Sequence, residues 1–479
     1  MSARTPQAPV PPRRWRADRN SRRASGPIPV EVPPRLSPPA KGRARILLVN
    51  QYYWPDHAST GQHLTDLAES LVDQGHEVHV LCSRRGSRPG APARPSQEEH
   101  NGVVIHRVGA SGFGRGSILR RMADYLTFHW GAMFRALTLP RPDTVVTLTT
   151  PPLIALIGLL LQVFKKSTHV YWSMDLHPDA SLALGQTRQR FALQLLQKLS
   201  DSLYRRADRV ITLGPYMTDH IHRKGVPMER ISVIPVWSRR DEVFPLPREG
   251  HPLRAALGLE DKFVIMYSGN HGLAHRFEEF MDAAKRLQHR DDIVFLFVGD
   301  GPRYREVRDT CEAFSLTNVR LLDFFPRDQL HASLSVADAH LVSLRTEMTG
   351  ICVPGKLYGA MASARPVLFV GPGHCEVADT IRQAECGKTF LPGEGALLAS
   401  SIEELADQPW VAAAMGDRGL AAFSSEYDRE ASCARWCWML DDLQGLPRHE
   451  TVPATPTPVP AATGGLFAPQ LTSLGGNHS

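Results

Sequence analysis

The sequence predicts an α/β protein of two doubly wound, Rossmann-like domains facing each other across a cleft, with a disordered tail at either end. Three observations carry this. Short apolar runs alternate with amphipathic stretches through the middle of the chain, the βα repeat that yields a parallel sheet covered on both faces. The repeat breaks once, in the Pro- and charge-rich stretch from Pro235 to Pro252, and then restarts. The 479 residues, 42% apolar and 22% charged, are enough for two cores and exclude collagen-like, coiled-coil and wholly disordered chains.

Residues 1–44 come first, with ten Arg or Lys against Asp18 and Glu31 and no hydrophobic periodicity, so they read as a basic, Pro/Arg-rich disordered tail. The whole chain is formally +6, which leaves the remainder slightly acidic, so the positive charge belongs to the tail and gives no evidence that the body binds nucleic acid. No apolar h-region follows the arginines, as a secretory signal would require.

Residues 45–238 are the first domain. Ile46–Val49 reads as a strand, and the next helix carries Leu64, Leu67, Ala68, Leu71 and Val72 on one face before Gly75 closes it. Further strands are expected at Val78–Cys82, Val103–Ile105, Thr144–Leu148, His169–Tyr171 and Val210–Leu213. Residues 239–427 are the second domain, with strands at Phe263–Tyr267, Ile293–Val298, Ala339–Leu344 and Pro366–Val370. An amphipathic helix occupies 428–445, and the Pro/Thr/Gly-rich residues 446–479 form the second tail.

The seven cysteines show no CxxC or Cys/His spacing, which suits a reduced, cytosolic setting without a metal site. The longest apolar run, Leu153–Phe164, falls short of the roughly 20 residues that span a bilayer. Arg115–Pro140, with Arg120, Arg121, Tyr125, Phe128 and Trp130, followed by Leu153–Lys166, suits either a membrane surface or a buried helix.

Doubly wound sheets bind ligands beyond the C-terminal ends of their strands. There the sequence offers Gly61 at a helix start, either a close approach for phosphate or sugar or an ordinary turn. Gly269 and Asn270 follow the strand at 263–267, with Arg276, a guanidinium that either pairs with phosphate or is simply solvated. Gly299 lies in a turn after the next strand. Pro354 and Gly355 suit a helix start with Lys356 in its first turn, where a cation opposes the helix dipole unless an anionic ligand arrives. Glu347 lies just upstream. Asp175 and His177 end a first-domain strand and could touch sugar hydroxyls or share a proton; a capping role explains Asp179 better than Asp175.

Taken in order and spacing, Ile46–Tyr53, Asp175–Asp179, Tyr267–Asn270, Phe297–Pro302 and Val353–Tyr358 resemble glycosyltransferase family 4, particularly its WbuB-type bacterial surface-polysaccharide members. The resemblance spans about residues 45–443. It implies the GT-B fold and retaining transfer of a hexosyl or N-acetylhexosaminyl group from a nucleotide diphosphate donor, commonly a UDP-sugar, to a polysaccharide or polyprenyl-linked acceptor. No cofactor or obligatory metal is implied. Gly61 would approach the donor phosphate or the acceptor, Arg276 and Lys356 would neutralise the diphosphate, and the turn after Leu322, with Phe325, would hold the base. Ile351 and Gly359 stand where the family has a pair of glutamates, and Asn270 where it often has an arginine. The implied location is the cytoplasm, with peripheral contact at the inner face of the plasma membrane. A UDP-sugar epimerase on the same fold and a non-catalytic scaffold that binds nucleotide sugar are the competing readings.

Overall fold

The computed structural model describes residues 44–56, 58–86, 92–109, 118–185 and 190–446. Apart from Ala44 and Leu446, both expected tails lie outside the described residues, as does Arg115.

The first sheet comprises β1 (Arg45–Val49), β2 (Glu77–Ser83), β3 (Gln97–His100), β4 (Val103–Val108), β5 (Thr144–Thr147), β6 (Thr168–Trp172), β7 (Arg209–Thr212) and β8 (Ile231–Val233), in the order β3-β4-β2-β1-β5-β6-β7-β8. All neighbours are parallel except β3 and β4. Leu48 on β1 sits opposite Val80 on one side and Val146 on the other. A central strand covered on both faces must be apolar at every position, and Ile46 to Val49 are all buried.

The second sheet holds β9 (Phe263–Ser268), β10 (Ile293–Val298), β11 (Val319–Leu322), β12 (Ala339–Ser343), β13 (Val367–Val370) and β14 (Gly387–Phe390), all parallel, in the order β11-β10-β9-β12-β13-β14. In each sheet the strand order reverses at the first strand: β1 lies between β2 and β5, and β9 between β10 and β12. Connections on either side of such a strand leave in opposite directions, which opens a crevice at its C-terminal end.

Strands β3, β8, β11 and β14 are not among those read from sequence. Gln97–His100 is a polar edge strand with alternate residues exposed, so it has no apolar run to find. Gly387–Phe390 and Val319–Leu322 also sit at sheet edges, only partly buried.

Helix Arg429–Leu443 lies on the first sheet's side of the molecule. Trp436 packs 4.6 Å from Trp172 by ring centroid, and Gln444 Nε2 donates to Thr144 Oγ1 at 2.6 Å. The two chain crossings run side by side: Ser238 forms a parallel bridge with Asp428, and Trp237 Nε1 donates to Asp66 Oδ2 at 2.8 Å.

Candidate functional site

Beyond the strand ends, the loop after β6 lies on the loop that leads to Lys356. Asp175 forms an antiparallel bridge with Cys352, and the Leu176 amide donates to the Ile351 carbonyl at 3.0 Å. Two segments chosen separately from the sequence, Asp175–Asp179 and Val353–Tyr358, are therefore brought together. Alongside, Met217 N donates to Glu376 Oε1 at 2.9 Å and the Tyr216 hydroxyl to Asp379 Oδ2 at 2.8 Å, joining the helix Pro215–Arg223 to the helix Glu376–Ala384.

Lys356 opens the helix Lys356–Ala362 with Gly355 as its N-cap, the position expected for it. Its ammonium lies 3.1 Å from His275 Nε2 and 5.1 Å from the centre of the Tyr267 ring. His275 Nδ1 is 2.7 Å from the Ser343 carbonyl, which can only accept, so Nδ1 carries the hydrogen. The Nε2 lone pair then accepts from Lys356. Burial, then the Lys356 charge, pushes the imidazole down to about 3, so His275 is neutral near pH 7. Burial also lowers Lys356 to about 8, a state that an incoming anion would reverse.

Two glycines make room for this arrangement. Gly269 has φ +122°, and a Cβ there would stand 2.9 Å from Lys356 Cε; Gly299 has φ +125°, and its Cβ would fall 2.3 Å from the Gly269 carbonyl oxygen. Both lie in a backbone region that side chains avoid, so the turns after β9 and β10 touch, and the lysine stem crosses over them. Asn270 is exposed, and its carbonyl accepts from the Tyr267 hydroxyl at 2.9 Å. In the first domain Gly61 is buried at the start of the helix Ser59–Asp73, where an added Cβ would lie 3.2 Å from the Tyr52 backbone.

Arg276, read from the sequence as either a phosphate partner or a solvated charge, is ion-paired within the second domain. Its guanidinium forks onto Glu279, with Nη2 to Oε1 at 2.6 Å and Nε to Oε2 at 3.2 Å, and the same buried carboxylate accepts from Gly393 N at 2.8 Å. The structure thus ties Arg276 into the turn before helix Glu278–Arg286 and gives it an anion of its own. Glu347 is exposed in the short turn Thr346–Met348.

Phe325 packs partly into the core, whereas its neighbour Phe324 is 57% exposed, and a Cβ on Gly299 would meet its ring edge at 3.1 Å. Phe324 is therefore the aromatic face at the β10 turn. Sequence reasoning missed it because two adjacent phenylalanines in a loop carry no signal of which one turns inward.

Asp175 and His177 are half-buried, and Asp175 bridges to Cys352. Burial raises the Asp175 pKa against a smaller opposing pull from His177, the direction that suits a proton-sharing carboxyl. Asp179 is structural. Burial pushes its pKa up, but hydrogen bonds from His220 at 2.9 Å and Lys224 at 2.6 Å outweigh that and hold it well below the carboxylate range. Among the described residues, no group of three His, Cys, Asp or Glu is placed to hold a metal ion.

Residues 60–237 match the family described as glycosyl transferase 4-like domain, and residues 262–408 the glycosyl transferases group 1. The chain is 27% identical over 369 residues to the probable glycosyltransferase WbjE of Pseudomonas aeruginosa, a match covering 76% of this chain and 90% of that one. It is 26% identical over 352 residues to the putative colanic acid biosynthesis glycosyl transferase WcaI of Escherichia coli K12, covering 70% and 84% respectively. The fold resembles that of Anabaena HepE, solved in complex with UDP-glucose, with a TM-score of 0.62 over 84% of this chain and 100% of the other at 16% identity.

Proposed function

We propose that this chain, which belongs to the glycosyltransferases and has the GT-B fold, moves a sugar from a UDP-sugar to a saccharide or lipid-linked acceptor with retention at the anomeric carbon. The observation that carries the reading is Lys356, an ammonium oriented by a neutral histidine at the glycine turns of β9 and β10. The UDP-glucose held by HepE on the same fold supports the donor, and the surface-polysaccharide name of WcaI supports the acceptor class.

In this reading Gly269 and Gly299 let the diphosphate approach the backbone, and Lys356 meets its oxygens. Phe324 offers a face to the base at the end of β10. As the sugar–phosphate bond breaks, negative charge grows on the departing diphosphate, and an ammonium already in place stabilises that state more than the ground state. The acceptor hydroxyl attacks on the same face and passes its proton to the leaving phosphate. Asp175 and His177, on the loop that bridges to Cys352, hold the sugar hydroxyls. Arg276 acts through the turn that it fastens to Glu279. The proposed setting is cytoplasmic, at the membrane; no described helix is long and apolar enough to cross one.

A panel of UDP-sugars offered with lipid-linked saccharide tests the reading. Release of UDP together with a new glycosidic bond is expected; an isomerised nucleotide sugar without UDP release would instead mean an epimerase.

A further inference from the structure

Four cations meet at the turn His275–Arg276, and two of them already have carboxylates. Arg276 forks onto Glu279. Arg303, which is buried, donates from Nη2 to Glu278 Oε1 at 2.9 Å and from Nε to Glu306 Oε2 at 2.8 Å, while its Nη1 donates to the His275 carbonyl. The other two are Lys356, whose partner is the neutral His275 ring, and Arg345. Arg345 Nε donates to the same His275 carbonyl at 3.4 Å. Among the described residues no carboxylate forms an ion pair with it, and its terminal groups Nη1 and Nη2 have no partner.

Arg345 stands just past the C-terminal end of β12, beside the point where the strand order of the second sheet reverses. Its amide donates to the Ala274 carbonyl at 2.8 Å. Ser343 Oγ accepts from Arg276 N at 3.0 Å and donates to the Arg276 carbonyl at 2.7 Å. These bonds fasten the loops after β9 and β12 to each other, so the backbone under Arg345 is held while its side chain is only half-buried. Partial burial weakens the hydration of a guanidinium, and no acid in the turn offsets that loss. Holding Lys356 and Arg345 on one histidine adds like-charge repulsion, which an anion received between them would reverse.

We propose, resting on the nucleotide-sugar donor put forward above, that Arg345 binds the donor diphosphate directly and is the second cation of that site. Its planar fork presents Nη1 and Nη2 to phosphate oxygens, a geometry that suits them better than a point charge does. Two cations without acids match the two negative charges of the diphosphate. Arg276 and Arg303 are already neutralised by Glu279, Glu278 and Glu306, and they serve to hold the turn in place. A carboxylate on the transferred sugar is the other anion that such a fork would fit, and the test separates it.

The test titrates the full chain and its Arg345→Gln and Arg345→Lys variants with UDP, inorganic pyrophosphate and uridine in a calorimeter. Glutamine sets its amide nitrogen where arginine has Nε, so it keeps the bond to the His275 carbonyl and loses only the charge and the fork. Affinity of Arg345→Gln for UDP and for pyrophosphate should fall roughly tenfold, the size of one charge-assisted contact, with uridine affinity and the ligand-free melting temperature unchanged. Arg345→Lys should recover part of the loss, as a point charge without the fork. Unaltered UDP and pyrophosphate affinity in Arg345→Gln overturns the proposal, as does an equal loss for uridine. So does a variant that binds UDP normally and loses affinity only for UDP-glucuronate, which would place Arg345 on the sugar. If the unaltered chain binds pyrophosphate but not UDP, the donor reading fails and the pyrophosphate comparison still decides the role of Arg345; binding of neither would overturn both.

Discussion

Replacing Lys356 by Ala removes an ammonium that the fold has already oriented: His275 accepts one of its hydrogens, and the Gly269 turn passes under its stem. Loss of one preorganised electrostatic contact to a developing anion costs about 100- to 1,000-fold in turnover. Lys356 is half-buried, which screens part of its effect, so the lower end, about 100-fold in kcat, is expected, with only a few-fold rise in donor KM. The assay is UDP release under saturating acceptor, with kcat and KM separated. The pH profile supplies an independent arm. Because burial holds the ammonium near 8, kcat/KM of the unaltered enzyme should fall as the pH rises through about 8, and the Ala variant should lack that limb. Stability follows the same proton. Between about pH 8 and the ordinary lysine value of about 10.4 the unfolded chain holds a proton that the folded one has lost, so the ligand-free enzyme should gain stability relative to the variant as pH rises across that window. Turnover at the unaltered rate, or a defect confined to KM, would refute the role assigned to this ammonium.

Other consequences can be checked alongside. His275→Asn keeps a donor for the Ser343 carbonyl but removes the acceptor for Lys356, whereas His275→Gln can still reach the lysine; kcat should fall about tenfold in the first and less in the second, and equal losses would make His275 a packing residue only. Arg276→Ala leaves the buried Glu279 carboxylate without its guanidinium, so thermal denaturation should show a loss of about 2 kcal/mol; a stable variant with about 100-fold slower turnover would return Arg276 to the diphosphate. Phe324→Ala should weaken UDP binding by roughly tenfold in calorimetry, while Phe325→Ala, which opens the core, should lower the melting temperature more than the affinity. Excess chelator should leave turnover unchanged, because the charge on the diphosphate is met by Lys356; restoration of activity by added divalent cation would contradict that.

The central strands were legible because a strand covered on both faces must be apolar throughout, as Ile46–Val49 and Ile293–Val298 are. The edge strand Gln97–His100 was not, since one exposed side frees its residues from that demand. Lys356 could be singled out by local chemistry, as a cation at a helix start preceded by Pro and Gly. His275 could not, because its significance depends on a lysine 81 residues away. For Arg276 the local sequence left a phosphate partner and a solvated charge as alternatives, and its ion-pair partner Glu279, three residues on, was overlooked although that spacing places the two on one side of a helix turn. In the 118–138 helix the sequence left a membrane surface and a buried helix as alternatives, because periodicity alone does not say which side meets the sheet: Phe128 faces it and Trp130, two positions on, faces out.

Transfer itself, dependent on Lys356, is tested most directly by following one UDP-sugar and a lipid-linked saccharide by NMR with the unaltered chain and with Lys356→Ala side by side. The expected result is stoichiometric UDP and a new glycoside of retained anomeric configuration, formed about 100-fold more slowly by the variant. Isomerised donor without UDP, an inverted glycoside, or equal rates from the two proteins would contradict it.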